Sequence, residues 1–399
     1  MELNGEQQSM LDGAAGRSTR KAMEILVALG KIYGARRLVP VTSVQISGVS
    51  YDNLGDAGLN WLAEMAEGGG KVRVLTTLNP AGMDIENQAA LGIPADFAEK
   101  QAEVIEAFGR MGAIMTCTCT PYLTGNVPHF GEHIAWAESS AVCYANSILG
   151  ARTNREGGPS ALAAALTGST PEYGLHLDEN RQPGLIFEVS EPVSGTALFG
   201  ALGKVMGEQI EKRSPKPVPY LSGIDGASLE ELKSFCASLA TYGGVGLVHI
   251  AGVTPEAGSM RLPEEKVVIR RSDVEQALIS LSDAEDEEVD FVSLGCPHLS
   301  ILEIARIAEL LQGKKVKRTF WITTARPTKQ IVDRMGYTQI IEASGAVMAA
   351  DTCCVVAPIR GRFKALATDS AKACYYASSK NRFKTRLLAF DQVIAEALR

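Results

Sequence analysis

The hydrophobic positions of the chain follow two periods, one typical of helices and one typical of strands. Between Asn4 and Gly30 the apolar residues recur at helical spacing, and a glycine closes the segment. Residues 38–47 instead alternate apolar and polar side chains, as a half-buried strand does. The helical period returns over 56–66 and 97–112. The pattern therefore predicts helices and strands that alternate from the start of the chain.

Short apolar runs that end in Gly- or Pro-containing loops predict the other strands. Strands that alternate with helices of ten or more residues favour α/β/α layers with mostly parallel sheets. In such sheets the functional residues gather at the carboxyl ends of strands, which is where Cys119, Cys296 and the loop after Thr323 fall. The predicted strands cover residues 72–76, 113–118, 246–250, 289–294, 319–323 and 353–357.

A stretch rich in proline and charge, residues 211–218, is the expected linker between two parts of the chain. It divides an N-terminal α/β region, 1–210, from a C-terminal α/β region, 211–399. The acidic run 282–290 is expected to be a solvated loop before a strand. The most apolar long window, 340–359, contains two carboxylates and is expected to be buried core rather than a membrane span.

The charge balance argues against nucleic acid as a partner. The formal net charge is −7, and no cluster of Lys and Arg forms the basic surface that phosphate binding requires. The polar N-terminal segment does not resemble a signal peptide, so we expect a cytoplasmic protein with no membrane association. The eight cysteines are then expected to be free thiols. Because no CxxC pair exists, a zinc ribbon is disfavoured.

The cysteines fall into two groups. Cys143, Cys236 and Cys374 lie in apolar helical stretches, where a small buried thiol is the simplest interpretation. Three thiolates at strand ends can hold an iron–sulfur cluster and leave one iron open as a Lewis acid. Scattered core thiols would explain the same pattern about as well. The cysteines at loop or strand-end positions are Cys117, Cys119, Cys296, Cys353 and Cys354.

Polar residues interrupt several apolar stretches. Glu138 and Ser139 stand within an apolar run, although Ser139 would also suit a helix N-cap. The segment 144–161 is dense in polar groups before two glycines, as either a binding loop or a capped helix end would be. Lys372 can pair with a phosphate or a carboxylate, and a surface lysine is the alternative.

Two turns follow predicted strands, and both offer groups suited to an anionic substrate. Gly48-Val49-Ser50 supplies backbone N–H groups and a hydroxyl. Asn79-Pro80 supplies an amide side chain at the end of the next strand. Both turns are therefore candidate substrate loops.

Taken in order, six motifs closely resemble the large subunit of the aconitase X family, from about Val44 to Lys372. The motifs are SVQISGVSYDNLGDAGL, TTLNPAGMD, TCTCTPYLTGNVPHFGEHIAWAESSAV, YANSILGARTNREGG, LGCPH and ADTCCVVAP. The resemblance implies an aconitase-like fold of several α/β/α layers around a central cleft that holds a [4Fe–4S] or related cluster. It implies Cys119, Cys296 and Cys353 as the ligands. Cys117, which would share a strand face with Cys119, and Cys354 are then neighbours of the cluster rather than ligands.

The resemblance also implies the substrate contacts and a partner. Glu138 and Ser139 would take part in catalysis as well as binding. The chain ends at Arg399 without a counterpart of the swivelling fourth domain, so the general base is expected from a separate small subunit. The implied substrate contacts are Gly48, Val49, Ser50, Asn79, Pro80, Glu138, Ser139 and Lys372.

Split archaeal members of the family imply a hydro-lyase that acts on a phosphorylated hydroxy acid. The expected reaction converts (R)-5-phosphomevalonate to trans-anhydromevalonate 5-phosphate, in a modified mevalonate pathway of isoprenoid biosynthesis. Lys372 and the glycine turns would meet the phosphate. Bacterial relatives suggest cis-3-hydroxy-L-proline dehydratase as an alternative, whose substrate amine would call for an acidic partner. A non-enzymatic iron–sulfur sensor is a second alternative, which the net charge of −7 argues against.

Overall fold

The computed structural model of the protein describes residues 1–285 and 288–399. Within these ranges, three parallel sheets follow one another along the chain, and helices flank each of them. Because crossover connections between parallel strands carry the helices, both faces of such sheets are covered. The predicted α/β organisation with mostly parallel sheets is confirmed.

The first unit builds the N-terminal sheet and a short strand pair. Its strands are β1 (Leu38–Pro40), β2 (Ser43–Ile46), β3 (Leu75–Leu78), β4 (Ala135–Trp136) and β5 (Ser169–Pro171). Its helices are α1 (Gly5–Leu11), α2 (Arg17–Ile32), α3 (Tyr51–Glu67), α4 (Ala95–Met111), α5 (Ser139–Tyr144) and α6 (Gly158–Thr167). The parallel sheet has the order β3-β2-β4, while β1 and β5 pair antiparallel. Leu26, Val44 and Phe108 lie in the core of this unit.

The middle unit is a four-stranded parallel sheet. Its strands are β6 (Pro183–Val189), β7 (Val218–Ser222), β8 (His249–Ile250) and β9 (Lys266–Ile269), in the order β8-β7-β6-β9. Its helices are α7 (Thr196–Glu211), α8 (Leu229–Gly243) and α9 (Arg271–Ser280). Phe187, Leu202 and Phe235 are buried between the sheet and the helices.

The C-terminal unit is a five-stranded parallel sheet with the order β12-β11-β10-β13-β14. Residues 291–294 of its central strand are fully buried, as expected for a parallel strand covered on both faces. The strands are β10 (Phe291–Leu294), β11 (Thr319–Thr324), β12 (Val347–Ala350), β13 (Ala365–Thr368) and β14 (Lys384–Leu387). The helices are α10 (Ile301–Leu311), α11 (Arg326–Arg334), α12 (Tyr337–Ala343), α13 (Ala371–Tyr376) and α14 (Phe390–Leu398).

Local sequence signals fix where several of these helices begin. Helix α8 starts with a capping box in which the Ser228 hydroxyl accepts from the Glu231 N–H and Glu231 accepts from the Ser228 N–H. Helix α10 repeats the arrangement with Ser300 and Glu303. These caps satisfy N–H groups that the first helical turn leaves without partners.

Two predicted strands are wrong. Residues 113–118 form a single bridge to β3 rather than a strand, because Cys117 adopts a left-handed backbone conformation with φ of 43°. The inference that Cys117 and Cys119 share a strand face therefore fails as well. Residues 353–357 form a turn, closed by hydrogen bonds from the Val356 and Ala357 N–H groups to the Cys353 carbonyl. The strand in this region is β12, which ends three residues earlier.

The expected linker does not separate two sheets. Residues 211–218 connect α7 to β7, and β7 pairs with β6 in the middle sheet. The boundary between 210 and 211 therefore falls inside one sheet unit. The acidic run 282–290 includes Asp286 and Glu287, which lie outside the described residues. No helix in the described part of the chain is long and apolar enough to cross a bilayer.

Candidate active site

The carboxyl ends of strands from the first and third sheets surround a cavity of about 410 Å³. The segments after β2, β3 and β4 contribute Gly48, Asn79 and Glu138. The segments after β10 and β12 contribute Cys296 and Cys353. Helices α8 and α13 complete the wall. This placement follows the general rule that parallel sheets bind ligands beyond their strand ends.

Three cysteines line this cavity. Cys119, Cys296 and Cys353 reach it from three separate loops, and all eight cysteines of the chain are free thiols. Cys117 and Cys354 are buried but are not part of the lining. The structure therefore brings together the three thiols that the family resemblance implied as ligands.

The three thiols differ in acidity. The Cys296 thiol donates a hydrogen bond to Cys353, and this contact is the main reason why the pKa of Cys353 falls to about 7 despite burial. The N–H groups of Val355 and Val356 lower this pKa further. Burial raises the pKa of Cys119 to about 12, although the His298 N–H donates to its sulfur atom at 3.2 Å. Cys353 is thus the most readily ionised thiol of the three.

The donor set of the cavity, three buried thiols from separate loops, is of the kind that can hold an iron–sulfur cluster. Thiolates around a cluster bind different irons and stand farther apart than the ligands of one ion. Three buried thiols that face a cavity of about 410 Å³ match the cluster arrangement.

A buried ion pair lies across the same cavity. Lys372, on α13, donates to the Glu138 carboxylate at 2.5 Å. Asn79 donates to the other carboxylate oxygen at 2.9 Å, and the Ser140 hydroxyl donates to the first at 2.8 Å. Glu138 is also the N-cap of α5, where it accepts from the Ser140 N–H. The carboxylate is therefore fixed by donors from three separate segments, the loop after β3, helix α5 and helix α13.

The ion pair remains charged at neutral pH. Burial raises the pKa of Glu138, but the charge of Lys372 and hydrogen bonds from Lys372, Ser140 and Asn79 outweigh it and bring the pKa to about 2. Burial lowers the pKa of Lys372, but Glu138 and the nearby thiols of Cys296 and Cys119 raise it well above its ordinary value. The cavity therefore holds a fixed carboxylate beside a fixed ammonium group.

The other predicted substrate contacts divide into two sets. Gly48, Pro80 and Ser139 line the cavity, whereas Val49 and Ser50 lie behind its wall. The Val49 carbonyl accepts from Gln101, and the Ser50 hydroxyl donates to the Val356 carbonyl at 3.2 Å. Ser50 thus supports a cavity residue from behind. For all of these residues a substrate contact stays a prediction.

Several cavity residues were not predicted from sequence as site residues. Arg155 is exposed and has no carboxylate partner within the described residues. Lys380 pairs with Asp52 at 2.9 Å. The polar density of segment 144–161 was the only sequence signal for Arg155. The other additions to the wall are Ser47, Asn53, Ala137, Ala240, Thr241, Val355, Val356, Tyr375 and Tyr376.

A second buried ionic cluster ties the first unit to the third. Arg326 donates to Asp84 at 2.5 Å and also pairs with Asp351. Asp84 in turn accepts from the Ala350 N–H at 2.8 Å. Asp351 has a left-handed backbone conformation with φ of 66° and lies two residues before Cys353. The cluster therefore orders the turn that carries this thiol.

Comparison with known proteins identifies the family. Family models match the chain in three consecutive parts, described as the first domain of aconitase X over residues 1–179, the second over 183–278 and the third over 289–399. The chain belongs to the aconitase X family. Neither division between these domains falls at the expected linker, and each matched part contains one of the three parallel sheets.

Relatives and a solved structure agree with this assignment. The phosphomevalonate dehydratase large subunit of Methanocaldococcus jannaschii is 46% identical over 95% of this chain and 96% of its own length. The cis-3-hydroxy-L-proline dehydratase of Hypocrea jecorina is 35% identical over 94% of this chain but 65% of its own length. The crystal structure of Thermococcus kodakaraensis aconitase X in its holo form superposes with a TM-score of 0.91, at 44% identity and 100% coverage of both chains. The predicted aconitase-like fold is confirmed.

Proposed function

We propose that this chain is the large subunit of a phosphomevalonate dehydratase, which removes water from (R)-5-phosphomevalonate to give trans-anhydromevalonate 5-phosphate. Archaeal relatives with that name are 36% to 46% identical over most of the chain. The relatives named cis-3-hydroxy-L-proline dehydratase are more distant, at 35% and 34%.

The charge of the cavity supports an anionic substrate most directly. Its lining contains three cationic side chains, Arg155, Lys372 and Lys380, and one carboxylate, Glu138. That carboxylate is already paired with Lys372. Lys380 is likewise paired with Asp52, so Arg155 is the lining cation without a carboxylate partner among the described residues. It can bind an anionic group of the substrate, whereas an amino acid would need a free acidic partner for its amine.

The reacting end of the substrate belongs beside the three thiols. Cys119, Cys296 and Cys353 would hold the cluster, which would supply an iron with an open site as a Lewis acid for the hydroxyl group. Lys372 is oriented to bind the substrate carboxylate, because its ammonium group is held beside these sulfurs. Glu138, kept ionised, can accept a hydrogen bond from the substrate hydroxyl that leaves and so hold it in place, and Ser139 lines the wall beside it.

Because Lys372 is assigned to the substrate carboxylate, the substrate phosphate needs a different cation. The ammonium group of Lys372 is buried, paired with Glu138 and close to the thiols. It therefore lies where the carboxylate end of the substrate would react. Arg155 is exposed at the cavity and free of carboxylate partners within the described residues. A guanidinium group can also donate bidentate hydrogen bonds to two phosphate oxygens. We therefore assign the 5-phosphate to Arg155.

The small subunit completes the site in this proposal. The archaeal relatives are named as large subunits, which implies a second chain. We assign to that chain the base that removes the proton from C2 and the surface that excludes water from the cavity. Exclusion of water would strengthen each electrostatic contact described above.

A substrate comparison tests the proposal. The large and small subunits are reconstituted together with iron and sulfide under anaerobic conditions. They are then assayed with (R)-5-phosphomevalonate, mevalonate and cis-3-hydroxy-L-proline. The first should be dehydrated, mevalonate should react far more slowly because the binding energy of its phosphate is missing, and the large subunit alone should be inactive. Efficient turnover of the hydroxyproline with none of phosphomevalonate would replace the proposal with the alternative activity.

The Arg155 assignment has its own matched control. Arg155→Met should lower kcat/KM for phosphomevalonate by about tenfold or more and leave the low activity on mevalonate unchanged. Arg334→Met removes an exposed arginine of α11 that is not part of the cavity wall, and it should change neither value. Equal losses on both substrates would place Arg155 away from the phosphate.

A further inference from the structure

His298 contacts all three of the loops that carry the cavity thiols. It lies two residues after Cys296, and its side chain is fully buried. Its ring atom Nδ1 lies 3.0 Å from the Thr118 hydroxyl, in the loop of Cys119. Its ring atom Nε2 lies 2.9 Å from the Thr352 carbonyl, next to Cys353.

The partners of the imidazole define its tautomer. The Thr352 carbonyl can only accept, so Nε2 carries the hydrogen and donates. The other nitrogen, Nδ1, is then an acceptor, and the Thr118 hydroxyl donates to it. That hydroxyl oxygen accepts in turn from the Thr120 N–H at 3.1 Å. Every polar atom of the ring is thus used once, and the ring bridges two loops that are 234 positions apart in the sequence, at 118 and 352.

The backbone of His298 adds a third connection. Its N–H donates to the Cys119 sulfur at 3.2 Å. This bond crosses from the third unit to the first, because Cys119 follows β3 in the chain and His298 follows β10. A hydrogen bond to sulfur stabilises the thiolate, which is the form that binds iron.

We infer that His298 is a positioning residue that fixes the spacing of the three thiols, so that they can receive a cluster together. This inference rests on the proposed cluster for its purpose, although the contacts themselves do not depend on it. Neither Cys119 nor Cys353 lies in a regular strand or helix, so each loop depends on its own turn hydrogen bonds and on side-chain contacts from outside the segment, such as those of His298. One rigid, fully buried ring that touches both loops removes their independent motion.

Three substitutions separate the two ring contacts. His298→Ala removes both of them. His298→Gln places an amide N–H near the position of Nε2 and preserves donation to Thr352, whereas His298→Asn places an amide oxygen near the position of Nδ1 and preserves the contact with Thr118. None of the three changes the backbone N–H that bonds Cys119. His249→Ala is the matched control, because His249, in β8 of the middle unit, is equally buried and its Nε2 donates to one carbonyl, that of Arg181.

Hydrogen–deuterium exchange of the full-length chain, before and after reconstitution with iron and sulfide, gives the first readout. His298→Ala should raise exchange in three separate segments, 117–120, 296–300 and 352–357. The Gln variant should restore protection in the last segment, and the Asn variant should restore it in the first. Increased exchange confined to 296–300 would overturn the inference, since a residue with only a local role would have that effect.

Release of iron to a chelator gives the second readout. The loaded His298→Ala chain should lose iron about tenfold faster than wild type or more, a typical effect of removing a residue that orients metal ligands. His249→Ala should stay within about twofold of wild type. Equal rates for the two alanine variants would overturn the positioning role. If wild type itself binds no iron, the proposed function fails, while the exchange pattern still tests the positioning of the loops. If His298→Ala does not fold, the Gln and Asn variants carry both measurements.

Discussion

Replacing Lys372 with methionine should destabilise the chain by about 3 kcal/mol, because the change leaves the Glu138 carboxylate in a buried site without its cation. The two charged atoms lie 2.5 Å apart, and both residues are less than one tenth exposed. The surroundings of Glu138 hold its pKa at about 2, below the ordinary 4.5. This lowering corresponds to roughly 3 kcal/mol in favour of the folded state with a charged carboxylate. The stabilisation is present above pH 4.5 and is lost as the pH falls through 2, so neutral pH gives its full value.

A double-mutant cycle at pH 7 measures the pair itself. The free energy of unfolding in urea is compared for wild type, Lys372→Met, Glu138→Gln and the double variant, all as the full-length chain without cluster. Each single change leaves one buried group without its partner, while the double change removes both charges. The double variant should therefore be less destabilised than the sum of the single variants, with a coupling energy of about 2–3 kcal/mol.

A surface pair provides the control for this experiment. Arg20 and Glu24 also form an ion pair on a helix, but their side chains are 58% and 40% exposed. Arg20→Met should cost less than about 0.5 kcal/mol. A coupling energy below about 0.5 kcal/mol for Lys372 and Glu138 would refute the reasoning, because the pair would then behave as a solvated one. In the active complex, Lys372→Ala should also lower kcat/KM roughly 30- to 1,000-fold. This change corresponds to a loss of about 2–4 kcal/mol of transition-state stabilisation.

Three further outcomes follow from the buried contacts. Replacing any one of the three cavity cysteines with serine should remove most of the iron and the visible colour after anaerobic reconstitution. Serine at Cys117 or Cys354 should not have this effect. If only Cys354→Ser removed the colour, the ligand would be Cys354 rather than Cys353. Burial, the facing His133 and two arginines lower the pKa of His176 to about 3, so the free energy of unfolding should fall as the pH drops from 6.5 toward 3. In His176→Gln, the urea concentration at the unfolding midpoint should fall less than in wild type between pH 7 and 4.5. Arg326→Met should lower the free energy of unfolding by about 3 kcal/mol, because it leaves two buried aspartates facing each other; a loss no greater than that of Arg334→Met would contradict this.

The periodic signals of the sequence were sufficient for the layout of the fold. The predicted helices over 56–66 and 97–112 correspond to α3 and α4, and the predicted strands over 289–294 and 319–323 correspond to β10 and β11. These elements have strong apolar periodicity, which is the most reliable local signal. The rule that functional residues follow strand ends correctly placed Cys296 at the cavity, whereas Cys119 reaches it from an irregular segment and the loop after Thr323 does not line it.

The two wrong strands share one physical cause. Residues 113–118 and 353–357 are apolar and short, as a buried strand would be. Each region has a non-glycine residue with positive φ, Cys117 within one and Asp351 two residues before the other, and this conformation interrupts the extended backbone of a strand. Sequence patterns do not reveal such a conformation, because the tertiary contacts of the turn stabilise it. Arg326, which is 25 positions from Asp351 and 242 from Asp84, is one source of those contacts.

The two ends of the cavity differ in burial and pairing, and this difference explains why the substrate was difficult to predict from sequence. The reacting end consists of buried groups that hold one another, such as Glu138 with Lys372, and any change there costs stability. The phosphate end, as we propose it, depends on Arg155, which is exposed and has no carboxylate partner among the described residues. A substitution at Arg155 would therefore cost the fold little while changing which anion is bound. Two enzymes with the same thiols and the same ion pair can then act on different substrates. The charge at the position of Arg155, rather than the thiol pattern, is what should separate a phosphomevalonate dehydratase from a hydroxyproline dehydratase.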